Sequence, residues 1–161
     1  MDLRTILDRF SRGAMSFEEA QKAIAIHSIE HVGDIAKLDV GREMRKGMPE
    51  IVFAEHKEYS DTLRIARAAL ARNGQVVVSR VKKSDIGRLA RALKKKGLAV
   101  QVGQKSTTIL ASKKSYRRKE AGRVGVMAAG TSDIGVAEEA RLVAEAMGCK
   151  VITSYDVGIA G

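Results

Sequence analysis

The chain has a single cysteine, a single proline, few aromatic residues (4%) and no long apolar run, and each scarcity removes a class of protein. Cys149 cannot close an internal disulfide, and with no Cys or His at ligand spacing around it a structural zinc site is not expected. Scarce proline combined with 45% hydrophobic residues argues against disorder. A chain of 161 residues with this composition buries a real core, as one ordinary domain or two small ones. No stretch approaches the ~18 uninterrupted apolar residues that a membrane helix requires. The start of the chain is broken by Asp2, Arg4, Asp8, Arg9 and Arg12, unlike a signal peptide. A cytoplasmic protein without a membrane partner is expected. Two phosphate-binding signatures are also missing: there is no G-x-G-x-x-G and no Gly-Lys-Ser/Thr.

What the chain does have is positive charge, unevenly spread. The net charge is +10, yet residues 123–161 hold three basic residues (Arg123, Arg141, Lys150) against five acidic ones (Asp133, Glu138, Glu139, Glu145, Asp156). That segment is −2, which leaves +12 on the residues before it. The densest run is Lys113-Lys114-Ser115-Tyr116-Arg117-Arg118-Lys119. It reads as a solvated linker, a phosphate-facing surface or a nucleic-acid contact. Its one aromatic residue weakens the last of these, because single-strand binding normally uses several stacking rings.

Periodicity then sets out the elements. Leu3, Ile6, Leu7 and Phe10 recur at helical spacing, and Gly13 is a stop. Ser16-Phe17-Glu18-Glu19 has capping-box form and opens a second helix carrying Ala20, Ala23, Ile24 and His27. Short strands are expected at 35–40 and 51–54, separated by the polar loop 41–49. A helix over 60–72 closed by Asn73-Gly74, a strand over 75–81, a helix over 84–96 closed by Gly97, and strands over 98–102 and 107–112 joined by a hairpin through Gln104-Lys105-Ser106 make a small α/β layer.

Residues 123–161 follow a different pattern. Val124 to Ala129 is a near-continuous apolar run, as in a parallel strand buried on both faces. The turn Gly130-Thr131-Ser132-Asp133 comes next, then a helix with Val136, Ala137, Ala140, Val143, Ala144 and Met147 as its apolar set, Gly148 as its stop, and a strand from Val151. In open parallel sheets ligands gather at the carboxyl ends of the strands, so Gly130 to Asp133 is either an anion-binding turn or simply a turn capped by Ser132 or Asp133. Tyr155-Asp156-Val157-Gly158 tips the balance toward a site, since it brings a second carboxylate and flexible backbone to the same edge. One helix and two strands cannot cover their own apolar faces, so this unit is expected to pack on the N-terminal part or on other copies.

The run Gly125 to Asp133, the helix start Val136-Ala137-Glu138-Glu139-Ala140 and the segment Tyr155 to Gly161 resemble the LarB family, the carboxylase/hydrolase of nickel-pincer cofactor biosynthesis. The C-terminal half of that family resembles the aminoimidazole ribonucleotide carboxylase (PurE) domain. The stretches Ala36-Lys37-Leu38-Asp39, Arg42 to Glu50, Ala54 to Lys57 and Ser79-Arg80-Val81 carry the same resemblance, which covers roughly residues 29 to 161.

This resemblance implies an enzyme that carboxylates nicotinic acid adenine dinucleotide at C5 of the pyridinium ring, using CO2 or bicarbonate, and hydrolyses the phosphoanhydride to release AMP. It implies catalytic roles for Ser132, Asp133 and Asp156, and substrate contacts from Gly130, Thr131, Gly158, Arg42, Arg45 and Lys57. It implies no resident cofactor, with Mg2+ as a candidate ion, and a homo-oligomer, octameric in the full-length family. The family's nucleophilic cysteine lies beyond Gly161 and is not Cys149. The chain is therefore expected to be C-terminally truncated relative to the family and inactive by itself.

The expected fold is α/β: an N-terminal α/β (α+β) domain over 1–117, with a helical hairpin at 1–28 and an α/β part at 29–112, then a basic linker at 113–122 and the first βαβ unit of a PurE-like parallel three-layer domain at 123–161. Two other readings stand beside this one. The first is a basic nucleotide- or nucleic-acid-binding module without catalysis. The second is a carboxylase of a purine precursor, against which the loop from Asp39 to Glu50 argues.

Overall fold

The computed structural model describes residues 3–26, 29–32, 36–39, 48–94 and 97–158. Two short helices, α1 (Leu3–Ser11) and α2 (Phe17–Ile26), come first. The capping box forms as expected: the Ser16 N–H donates to the Glu19 carboxylate at 2.8 Å and the Glu19 N–H donates to the Ser16 hydroxyl at 3.2 Å. Ile6 and Ala20 are buried, and the Phe17 ring meets Phe10 edge-on at 6.1 Å.

A two-stranded antiparallel ribbon follows, β1 (Ile29–Val32) with β2 (Ala36–Asp39). The second strand lies where periodicity puts it. The first, only four residues long, carries no signal strong enough to read.

The main sheet contains β3 (Ile51–Phe53), β4 (Gln75–Ser79), β5 (Leu98–Val102) and β6 (Ile109–Lys113), in the order β3-β4-β6-β5. β3 and β4 are parallel and are joined through α3 (Tyr59–Asn73). β4 reaches β5 through α4 (Ile86–Leu93), and β5 and β6 form the expected hairpin. Gly74, at φ 78°, ends α3 and donates its N–H to the Leu70 carbonyl, a left-handed cap that glycine adopts without side-chain strain.

Several boundaries differ from expectation, most clearly those of β4 and of the helix after it, while β6 begins at Ile109 rather than at residue 107. β4 stops at Ser79 rather than at residue 81, because Arg80 takes a left-handed φ of 55° and turns the chain, after which Val81 donates its N–H to the Thr107 carbonyl. α4 is shorter at both ends: residues 82–85 form a turn closed onto the Lys82 carbonyl, and Lys94 caps the far end.

The last elements are β7 (Gly122–Ala128), α5 (Ile134–Ala146) and β8 (Cys149–Tyr155), a parallel β-α-β unit. Their arrangement explains the burial of the main sheet. One face of that sheet presents Val76, Val78, Ile109 and Ala111 to Ile65, Ala69 and Leu70 of α3 and to Leu89 and Leu93 of α4. The other presents Val77 and Leu110 to Leu142 and Ala146 of α5. Every residue of β4 is consequently buried. The molecule is an α/β protein in which α5 lies between the main sheet and the β7–β8 pair.

Two expectations about this unit are corrected. β7 is not buried on both faces: β8 pairs with one of its edges and α5 covers one of its sides, which leaves Met127 77% exposed on the other, near Ile152 of β8 at 64%. The buried set of α5 is Ile134, Ala137, Glu138, Leu142 and Ala146, whereas Val136 and Ala140 point outward. A helix held between two sheets has two contact surfaces, and a single-stripe pattern does not describe it.

Candidate functional site at the carboxyl edge of the last two strands

β7 ends at Ala128, and the chain turns through Gly130 to Asp133, where the Asp133 N–H closes onto the Gly130 carbonyl at 3.1 Å. Asp133 holds the N-cap position of α5, but its side chain accepts no backbone N–H there. It accepts instead from the Ser132 hydroxyl at 3.3 Å. A Cβ placed on Gly130 would sit 3.6 Å from both the Ser132 hydroxyl oxygen and an Asp133 carboxylate oxygen, so the two side chains fold toward the Gly130 backbone. Thr131, Ser132 and Asp133 are exposed. The reading of this turn as a mere side-chain cap does not describe it. The oxygens of Ser132 and Asp133 face solvent beside the first free N–H groups of a 13-residue helix, a setting that favours anionic or hydroxyl-bearing ligands.

Parallel pairing of Ala128 with Tyr155 makes the two strands end side by side. Asp156 follows at a left-handed φ of 62°, and the Val157 N–H donates to the Ala128 carbonyl at 3.2 Å. Gly158 passes so near the Ala129 carbonyl that an added Cβ would lie 3.2 Å from its oxygen. The structure thus brings Gly130, Thr131, Ser132 and Asp133 to the same edge as Asp156 and Gly158.

The other candidate residues are placed as follows. Lys57, half-buried, lies in the loop after β3 and lines a small cleft with Tyr59, Thr62, Lys82 and Asp85. This is the carboxyl end of β3. Arg42, Arg45, Lys46 and His27 lie outside the described residues, as do residues 159–161. His56 is exposed, and Cys149 occupies the first position of β8, at the opposite end of that strand from Asp156.

Periodicity did not single out the most heavily bonded group nearby, the buried carboxylate of Glu138. Arg141 donates to both of its oxygens at 2.8 Å, the Tyr155 hydroxyl donates to Oε1 at 2.5 Å and the Gln104 N–H donates to Oε2 at 2.9 Å. The Arg141 guanidinium, aided by the Tyr155 and Gln104 donors, pulls the Glu138 pKa from its ordinary 4.5 to about 2, against the opposing effect of burial. Burial, with Glu138 beside it, raises that of Tyr155. The spacing Glu138-Arg141-Glu145 was a readable helical ion-pair signal, whereas the partners from β8 and the hairpin were not.

The basic run is pinned to the fold. Lys113 donates to the Ala71 carbonyl at 2.8 Å, Arg117 to the Lys114 carbonyl at 2.9 Å and Arg118 to the Gln75 side chain at 3.0 Å. Gln75, fully buried, in turn donates to the Tyr116 hydroxyl and to the Ala146 carbonyl at the end of α5, both at 3.0 Å. The linker is thereby connected to the end of α5 through Gln75.

These features define an α/β protein in which a parallel β-α-β unit presents a Gly-Thr-Ser-Asp turn and an Asp-Val-Gly turn at one edge. Residues 29–116 match the family profile of the LarB/PurE-like N-terminal domain, and the chain belongs to the LarB family. It is also similar to the uncharacterized protein MJ0165 of Methanocaldococcus jannaschii, with 36% identity over 163 aligned residues that take in 99% of this chain and 63% of that relative. The chain thus spans less than two thirds of the relative it matches. Among the described residues, no helix is long and apolar enough to cross a membrane.

Proposed function

We infer that this protein binds nicotinic acid adenine dinucleotide at the edge formed by Gly130–Asp133 and Asp156–Gly158, as the substrate-holding part of a carboxylase/hydrolase that adds a carboxyl group at C5 of the pyridinium ring and releases AMP. The observation that carries this reading is the convergence of the two turns at adjacent strand ends. Family membership supports it.

In this reading the Ser132 hydroxyl and the Asp133 carboxylate hold ribose hydroxyls or orient the ring, and Asp156 offers a second carboxylate for holding or moving a proton. The backbone N–H groups of Thr131 and Gly158 meet phosphate or carboxylate oxygens, and Gly130 lets the ligand approach the main chain. Arg42, Arg45 and Lys57 serve the anionic end of the dinucleotide. CO2 or bicarbonate is the second substrate. Among the described residues no three His, Cys, Asp or Glu side chains cluster closely enough to hold a metal. A magnesium ion would be shared between one or two of these carboxylates and the substrate's own phosphates. Cys149 stands apart from the edge, so the reading assigns it no part in nucleophilic chemistry.

Isothermal titration calorimetry with nicotinic acid adenine dinucleotide tests the reading. Ser132→Ala and Asp133→Asn should each weaken binding about tenfold or more, as expected for losing a hydrogen bond to a charged or hydroxyl group. Unchanged affinity in both variants overturns the assignment of the turn.

A further inference from the structure

We propose that Glu138 is a positioning residue for this site: its carboxylate holds the β5–β6 hairpin and the end of β8 on α5, so that the Gly130–Asp133 and Asp156–Gly158 turns keep one spacing. The proposal rests on the function inferred above and deepens it.

An ionised glutamate that is only 5% exposed is costly to desolvate, and a packed apolar residue would join helix and sheet at least as firmly. What a carboxylate adds is direction, through two oxygens with two acceptor sites each. Arg141 fills one site on each oxygen from within α5. The other two reach outside the helix, Oε1 to the Tyr155 hydroxyl and Oε2 to the Gln104 N–H. One buried group thereby fastens three segments.

Each outside partner stands one residue before a left-handed, non-glycine position, the first of them within the site. Tyr155 precedes Asp156 at φ 62°, and Gln104 precedes Lys105 at φ 53°. Non-glycine residues hold such angles where their surroundings over-determine them. The tethered Tyr155 ring fixes the point at which the chain leaves β8 to pass Ala128 and Ala129. The tethered Gln104 seats the hairpin tip on the start of α5, where a Cβ added to Gly135 would lie 2.6 Å from the Lys105 carbonyl oxygen. That contact is two residues beyond Asp133. The N-terminal sheet, through its hairpin, thus takes part in shaping a site built on the last β-α-β unit.

The test compares Glu138→Gln and Tyr155→Phe with Glu145→Gln as the control, using calorimetric titration of nicotinic acid adenine dinucleotide well below the unfolding temperature. Arg141 also bonds Glu145 at 2.7 Å, so Glu138→Gln does not strand the guanidinium and should fold. Both Glu138→Gln and Tyr155→Phe should raise Kd about tenfold with stoichiometry unchanged, and amide exchange at Val157 should quicken. Glu145→Gln should lower the thermal midpoint without moving Kd. A purely structural role would lower stoichiometry or the thermal midpoint while leaving Kd as it was, and that result overturns the proposal. If Ser132→Ala and Asp133→Asn weaken binding while Glu138→Gln and Tyr155→Phe do not, the positioning role fails and the site stands. If none of the four matters, or the unsubstituted chain binds nothing, both fail.

Discussion

The Ser79 hydroxyl donates to the Glu139 carboxylate at 2.6 Å, joining the last residue of β4 to the second turn of α5. Ser79 is fully buried and Glu139 partly so, which makes this bond part of the contact between the main sheet and the final β-α-β unit. Ser79→Ala should cost about 1 kcal/mol in urea unfolding. A double-mutant cycle with Glu139→Gln should return a coupling of at least about 0.5 kcal/mol. Strict additivity would show that the bond contributes nothing to docking.

Glu138 makes stability depend on acid. Its folded pKa of about 2 lies below the ordinary 4.5, so its contribution is fully present above about pH 4.5 and disappears as pH falls toward 2. The thermal midpoint of the unsubstituted protein should fall across that window. Glu19, held low by the Ser16 N–H and hydroxyl, and Glu55, held low by Arg80, titrate in the same direction, so the diagnostic quantity is the difference from Glu138→Gln. That variant should show a shallower fall. Parallel curves would place the acid sensitivity elsewhere.

Leu142 is fully buried between α5 and the main sheet, packed with Val77 and Leu110. Leu142→Ala should destabilise the protein by about 2–5 kcal/mol, through lost burial and a residual cavity. Amide exchange should then rise in β4 and β6 as well as in α5. Loosening confined to α5 would mean that the main sheet does not rely on this helix.

Gly148 combines a left-handed φ of 90° with the Lys119 carbonyl lying where a Cβ would be. Gly148→Ala should therefore be more damaging than Gly135→Ala, which meets the Lys105 carbonyl without the φ strain. Urea midpoints for the two variants give the order directly. The reverse order would show that the Lys119 backbone yields easily.

Local chemistry made much of this protein legible beforehand. The capping box at Ser16 and Glu19, the glycine stop at Gly74 and the hairpin between β5 and β6 depend on residues close in the chain, and each forms where expected. The Gly130 and Asp156 turns were legible for a related reason, since parallel strands joined by a helix put their carboxyl ends together. Arg80 was not, because nothing in Ser79-Arg80-Val81 announces a left-handed residue.

Residue order alone therefore specified most of the elements, the caps at Ser16 and Gly74 and the edge at which two turns meet, all of which follow from backbone geometry and short-range hydrogen bonding. Tertiary packing decided which surfaces were covered. It set α5 between two sheets, left Met127 and Ile152 bare, and turned Glu138 from one of two adjacent glutamates into a buried anchor. Those outcomes depend on Val77, Leu110, Tyr155 and Gln104, which are distant in sequence, and a carboxylate acquires its partners only when the chain has brought them to it.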